Sequence, residues 1–113
     1  MVNQSEQLDL VFGALSDATR RAMVAQLAQG PASVGELGEP FAISKPAVTK
    51  HVKVLERAGL LSREVDGRVH RCAIDPAPLN KAQAWVERVR QHWGDRLDEL
   101  ASYLDTVQRE NQP

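Results

Sequence analysis

The sequence has a single cysteine, Cys72, so no internal disulfide can form and a four-cysteine zinc site is excluded. No apolar run approaches the ~20 residues a helix needs to span a bilayer. The first residues lack a charged start followed by an apolar stretch, so no secretory signal is expected and the cytoplasm is the expected compartment. The glycines are scattered at the ends of expected helices and in one turn, which leaves no glycine-rich phosphate loop. No nucleophile motif occurs, and the acidic residues fall mainly on expected solvent faces. Neither catalysis nor a cofactor is expected. What is present is ordinary for one globular domain: 42% apolar and 26% charged residues over 113 positions. A chain of this size buries roughly 60–70% of its unfolded surface, enough for one core.

A net charge of −1 argues, taken alone, against a polyanionic partner. The distribution argues otherwise. Residues 1–43 carry Arg20 and Arg21 against five acids, a net −3, and residues 72–113 carry five basic residues against seven acids, a net −2. Between them, residues 44–71 carry seven basic residues against Glu56, Glu64 and Asp66, a net +4. A local basic patch in a near-neutral protein still makes an electrostatic footprint.

Leu8, Val11, Phe12 and Leu15 follow a helical period, predicting a first helix over 5–15. A second helix is capped by Asp17 and stopped near Gly30, with Ala22, Met23, Leu27 and Val24 supplying its core stripe. "SVGE" has the form of a capping box, Ser33 to Glu36, opening a short helix that Pro40 ends; Phe41 and Ile43 read as core plugs in the turn that follows. Ser44 caps the next helix, Pro46 is tolerated in its first turn and Gly59 ends it. Residues 60–75 then read as two strands around an Asp66-Gly67 turn, Val65, Val69 and Ile74 being their apolar positions. A long helix over 77–108 carries the stripe Trp85, Val89, Trp93, Leu97, Leu100, Leu104 and Val107.

The segment "ISKPAVTKHVKVLERAGLL" is the most informative. Val48, Val52 and Leu55 form one apolar line; Lys45, Pro46, Thr49, Lys50 and Lys53 form the other face. A short helix, a tight turn, a cationic helix and a hairpin, in that order, predict a helix-turn-helix over 17–59 followed by a wing. B-form DNA admits one helix in its major groove, where lysine and threonine reach base acceptors or phosphates and a proline ring can touch a thymine methyl. Ser33 and Ser44, with the amides of their helix starts, suit phosphate oxygens. Arg68, beside the hairpin turn, suits the adjacent minor groove or the backbone. The fold class expected is mainly α with a small β-hairpin. Solvated lysines on an ordinary surface helix are the competing reading, and the ordered co-occurrence of these signals favours the first.

The stretch from "LSDATRRAMVAQLAQG" through "ELGEPF", "KHVKVLERAGL" and "GRVHRC" resembles the ArsR/SmtB family of winged-helix repressors. The likeness covers about residues 8–105 and is specific over 15–76. It implies a homodimeric repressor on an operator in double-stranded DNA, paired through its first and last helices, with groove-facing positions on Lys45, Pro46, Thr49 and Lys50. The metal sensors of that family carry a cysteine box in the helix before the recognition helix; here it reads "VGELGEP", without Cys or His. On the last helix His92, Asp95 and Asp98 do not match the family's other metal spacing, so metal sensing is not expected.

A last helix about 45 Å long, at ~1.5 Å per residue, is too apolar along one stripe to stand alone. Trp85, Val89, Trp93, Leu97, Leu100 and Leu104 are therefore expected to pair two copies, and the family resemblance implies that Leu8 and Phe12 of the first helix join them. Two-fold pairing would set the recognition helices ~34 Å apart, one turn of DNA, and match a pseudo-palindromic operator. Trp85 and Trp93 read as dimer core or, alternatively, as a ligand pocket; an inducer is left open. Cys72 and His70 share a strand face but lack further ligands, so a structural thiol is favoured over a metal or redox switch. His51 is expected to hydrogen-bond within the fold or to a phosphate. A protein-interaction module on the same scaffold is the alternative function.

Overall fold

A computed structural model describes residues 3–111. It contains five helices and three strands among those residues: α1 (Gln4–Ala14), α2 (Ala18–Leu27), β1 (Ala32–Ser33), α3 (Val34–Gly38), α4 (Lys45–Arg57), β2 (Leu61–Asp66), β3 (Val69–Ile74) and α5 (Ala77–Glu110). Every helix of the first half starts on a side chain that takes an orphan backbone donor. Asn3 accepts from the Glu6 amide at 2.8 Å and Asp17 from the Arg20 amide at 3.0 Å. Ser33 and Glu36 close a complete capping box, and Ser44 accepts from the Ala47 amide at 3.3 Å. The Ser33, Asp17 and Ser44 caps stand where their sequence signals put them.

Residues up to Ala82 form one compact unit around a core of Val11, Ala14, Met23, Leu27, Leu37, Val48, Val52, Leu55, Leu60, Leu61 and Cys72. Three expectations are corrected. Ala22 is exposed, because α2 turns Met23 and Leu27 inward and Ala22 lies off that stripe. Ile43 is 38% exposed; Phe41 alone of the two plugs packs on the core, and Ile43, two residues further along the turn, stays at the surface. The hairpin is also joined by β1, giving an antiparallel sheet in the order β1-β3-β2 with Ala32 opposite Cys72. Two residues carry too little periodicity to be read as a strand in advance.

The hairpin register pairs Asp66 with Val69, so the turn residues are Gly67 and Arg68 rather than Asp66 and Gly67. Gly67 has φ +60° and no non-glycine residue has positive φ among the described residues. That is the pattern of a two-residue turn with glycine first, and it puts Arg68 at the tip. The chain from Gln83 onward forms a second unit, its described part lying within α5 and the residue after it. Gly94 in that helix has nothing within 4 Å of where a Cβ would stand, so no close approach among the described residues requires it.

Candidate nucleic-acid interface

The sequence of α4 separates two faces. Val48, Val52 and Leu55 are buried in the core, Val52 and Leu55 completely. Burying such a side chain contributes about 1.5–3 kcal/mol, so this line fixes which way the helix faces. On the other side Lys45, Pro46, Lys50 and Lys53 are exposed and Thr49 is half-buried. With Val54 and Arg57 they line one open groove, which contains no carboxylate. Arg57 belongs to this face and was missed from sequence. Its signal was the four-residue spacing Lys45, Thr49, Lys53, Arg57, which stacks side chains along one helical line.

The α3–α4 corner is held close by the lack of a side chain at Gly38, where a Cβ would stand 2.7 Å from a Val48 methyl. The Ser33 and Ser44 hydroxyl oxygens each accept a backbone amide hydrogen, leaving their own hydrogens to donate outward. Arg68 is exposed at the hairpin tip and borders a second cleft with Ser33, Thr49 and Arg63. Helix start, recognition-helix face and hairpin tip thus meet along one side of the first unit.

The base of α4 is tied to the α1–α2 corner. The Arg20 guanidinium donates to the carbonyls of Ala14 at 2.7 Å and Gly13 at 3.2 Å, and Arg21 donates to the Leu15 carbonyl at 2.8 Å. These cations sit on the C-terminal carbonyls of α1, the negative end of its dipole. Arg20 Nη1 is also 3.2 Å from His51 Nδ1, and Asp17 Oδ2 is 3.9 Å from the same nitrogen. His51 is therefore engaged within the fold. The Arg20 amide donating to Asp17 holds that carboxyl below its ordinary range, helped by the nearby Arg20 guanidinium.

Cys72 is fully buried, and burial pushes its thiol pKa up, away from the reactive thiolate. His70 is engaged with Arg63 at 3.2 Å. Among the described residues no three His, Cys, Asp or Glu side chains cluster as metal ligands would. Of the positions expected to pair two copies, Leu8 is half-buried against its own core, while Phe12 is exposed. On α5, Val89 is the least exposed at 37% and Trp93 the most at 62%, with Trp85, Leu97, Leu100 and Leu104 between them. Val86 and Tyr103 are also large exposed apolar residues of this helix, outside the expected stripe.

Two helices meeting at a tight corner, the second carrying a cationic outer face, with a hairpin after it, define a winged helix-turn-helix protein. A helix-turn-helix domain family matches residues 15–64. The HTH-type transcriptional regulator Rv2034 of Mycobacterium tuberculosis is 37% identical over 98 residues, covering 87% of this chain and 89% of that protein. The transcriptional repressor SdpR of Bacillus subtilis is 32% identical over 76 residues, covering 67% of this chain and 84% of that one. The crystal structure of an ArsR family transcriptional regulator superposes with a TM-score of 0.78 at 39% identity, covering 83% of this chain and 97% of the other. The chain belongs to the ArsR-type winged helix-turn-helix transcriptional regulators.

Proposed function

We propose that the chain is a cytoplasmic, homodimeric repressor that lays α4 in the major groove of a pseudo-palindromic operator and can regulate its own promoter. The observation that carries this is the division of α4: a completely buried apolar line opposite a groove lined by Lys45, Lys50, Lys53 and Arg57 with no carboxylate among them. Lys45, Pro46, Thr49 and Lys50 meet base edges and phosphates, Lys53 and Arg57 the backbone, Ser33 and Ser44 phosphates at the helix starts, and Arg68 the adjacent minor groove or backbone. The apolar stripe of α5, with Leu8 and Phe12 of α1, pairs two copies.

The test is fluorescence anisotropy on the upstream DNA of the gene and on a shuffled duplex over a range of salt. About eight neutralised phosphates per dimer give a slope of log K against log salt of about −7, so binding weakens about 10⁴-fold between about 50 and 200 mM. Lys50→Ala should weaken specific binding far more than Lys81→Ala on the N-terminal turns of α5. Equal effects would refute the assigned face, and salt-insensitive binding would point to a protein partner instead.

A further inference from the structure

The distal half of the hairpin has little beside it. Among the described residues β1 pairs with β3 only at Arg71 and Cys72, so the strands from there out to Gly67 and Arg68 are joined to no third strand. A two-stranded ribbon standing alone is marginally stable in water and twists readily. Across residues 63–70 every residue except Arg63 and His70 is exposed, Val65 and Val69 among them. Apolar packing therefore does not fix where the hairpin tip stands relative to α4.

The two exceptions touch each other. Arg63 pairs with Cys72 and His70 with Val65, so Arg63 and His70 are diagonal neighbours across the strands, a separation a long side chain can bridge. Arg63 Nη1 lies 3.2 Å from His70 Nδ1; the guanidinium has only hydrogens to give, so Nδ1 accepts. From the same group Nη2 donates to Glu56 Oε1, in the last turn of α4, at 3.3 Å. One side chain thus spans both strands of the hairpin and the end of the recognition helix. The tie is stiff. The Arg63 side chain is only 16% exposed, and its Nε is buried without a hydrogen-bond partner among the described residues, so a broken Nη contact has little solvent to turn to. The guanidinium is planar and rigid, so fixing both Nη atoms fixes the whole group. Its anchor is firm as well, because Glu56 rides on a helix whose Val52 and Leu55 are completely buried.

We infer that Arg63 is a positioning residue for DNA binding: clamped between Glu56 and His70, it sets the angle of the hairpin against α4 and so carries Arg68 to the strand beside the groove that α4 enters. Arg63 itself touches no nucleic acid. The inference rests on the proposed function, which gives the contact to Arg68 and to the outer face of α4, and it adds the part that holds these two surfaces in register.

The test is a double-mutant cycle on duplex affinity with Arg63→Met and Arg68→Ala in the full-length chain, with thermal midpoints as the folding control. Methionine keeps an apolar stem and loses both Nη contacts. Arg68→Ala should weaken binding by about tenfold and shallow the salt slope by about 1. Arg63→Met should weaken binding by up to the same factor in the wild type, and by less than about twofold once Arg68 is gone. Additive losses would mean that Arg63 meets the strand itself, and an unchanged affinity in Arg63→Met would mean that it only stabilises the fold; either overturns the inference. Should Arg63→Met fail to fold, Glu56→Ala, at a side chain 41% exposed, carries the test. On charge alone, removing an acid from α4 tightens binding to a polyanion; loss of the anchor predicts weaker binding, and tighter binding refutes it. A readout without DNA separates this inference from the regulator reading. In isotope-labelled protein the heteronuclear NOE of the Gly67, Arg68 and Val69 amides should fall in Arg63→Met or Glu56→Ala, while that of Cys72, inside the β1 pairing, holds. If the wild type binds no duplex at all, the regulator reading fails and the tip alone decides: a fall sustains the clamp, and unchanged values overturn it.

Discussion

Replacing Gly38 with alanine should destabilise the protein even though it adds a better helix former. Gly38 is the last residue of α3, and a Cβ there would stand 2.7 Å from Val48 Cγ2 and 3.2 Å from Val48 Cγ1. Both are closer than carbon atoms pack, so something must move. Val48 cannot swing aside cheaply: it is a β-branched residue inside a helix, where one χ1 rotamer dominates, and it is buried. The strain is of the overpacking kind, about 1–3 kcal/mol. Against it stands the propensity gain of Gly→Ala, at most ~1 kcal/mol in a helix interior and less at a helix end. The net cost is about 1–2 kcal/mol, a fall in thermal midpoint of about 4–8 °C for a domain of this size. The assay is a double-mutant cycle by calorimetry with Val48→Ala, which itself costs about 2 kcal/mol for two buried methyl groups. With those methyls gone, Gly38→Ala should become neutral or mildly stabilising, a coupling of about 1–2 kcal/mol between the sites. A stabilised Gly38→Ala single variant, or additive effects, would refute the claim that the close approach of Gly38 to Val48 sets the spacing of the recognition corner.

Arg20→Met should lower stability by about 1.5–3 kcal/mol, because charge-assisted bonds to the Ala14 and Gly13 carbonyls are lost from a half-buried site; urea unfolding should show a lower midpoint with an unchanged slope, and a shift under ~0.5 kcal/mol would contradict it. Leu97→Asp should convert the proposed dimer to a monomer in sedimentation: Leu97 is 61% exposed in one chain, so the substitution has little to disturb unless a partner covers it. Asp17 and Glu36 both have folded pKa values held down, mainly by accepting the Arg20 and Ser33 amides. A depressed folded value means their contribution is present above the ordinary carboxylate pKa and lost as pH falls through and below it. Stability of the Asp17→Asn/Glu36→Gln variant should therefore depend less on pH below about pH 4 than that of the wild type, and parallel stability curves would show that these caps carry no linkage.

What was legible in the sequence was whatever a local rule governs. Ser33, Glu36, Ser44, Pro46 and Gly59 stand at the caps and stops that backbone geometry demands, and the three inward residues of α4 repeat at a helical period. What was not legible depended on partners distant in the chain. β1 is two residues long and exists because Ala32 and Ser33 meet β3. The turn was displaced by one residue because strand register is settled by cross-strand pairing, not by the Asp-Gly dipeptide alone. Ile43 is apolar and reads as core, yet only Phe41 of this turn packs on the core, because which side of a turn faces inward is set by the elements it packs against. The Arg63 arrangement was invisible for the same reason: Glu56, Arg63 and His70 reach each other only once the hairpin folds against α4.

The charge distribution shows how a chain with a net charge of −1 can still serve a polyanion. Screening limits the reach of exposed charges to about 8–10 Å at physiological salt, so the −5 carried outside residues 44–71 matters only where it lies that close to the strand. Counterion release depends on how many phosphates are met by cations, not on the net charge of the protein. Lys45, Lys50, Lys53 and Arg57 share one groove with no acid lining it, and the one carboxylate nearby on α4, Glu56, is paired with Arg63. A globally neutral surface limits non-specific attraction from a distance, while the α4 face keeps the full local field. Moving one acid onto that face, as in Thr49→Glu, should therefore weaken duplex binding more than adding the same charge on the C-terminal turns of α5, although both variants have the same net charge. Equal losses in a salt-matched anisotropy titration would mean that net charge, rather than its placement on α4, governs binding.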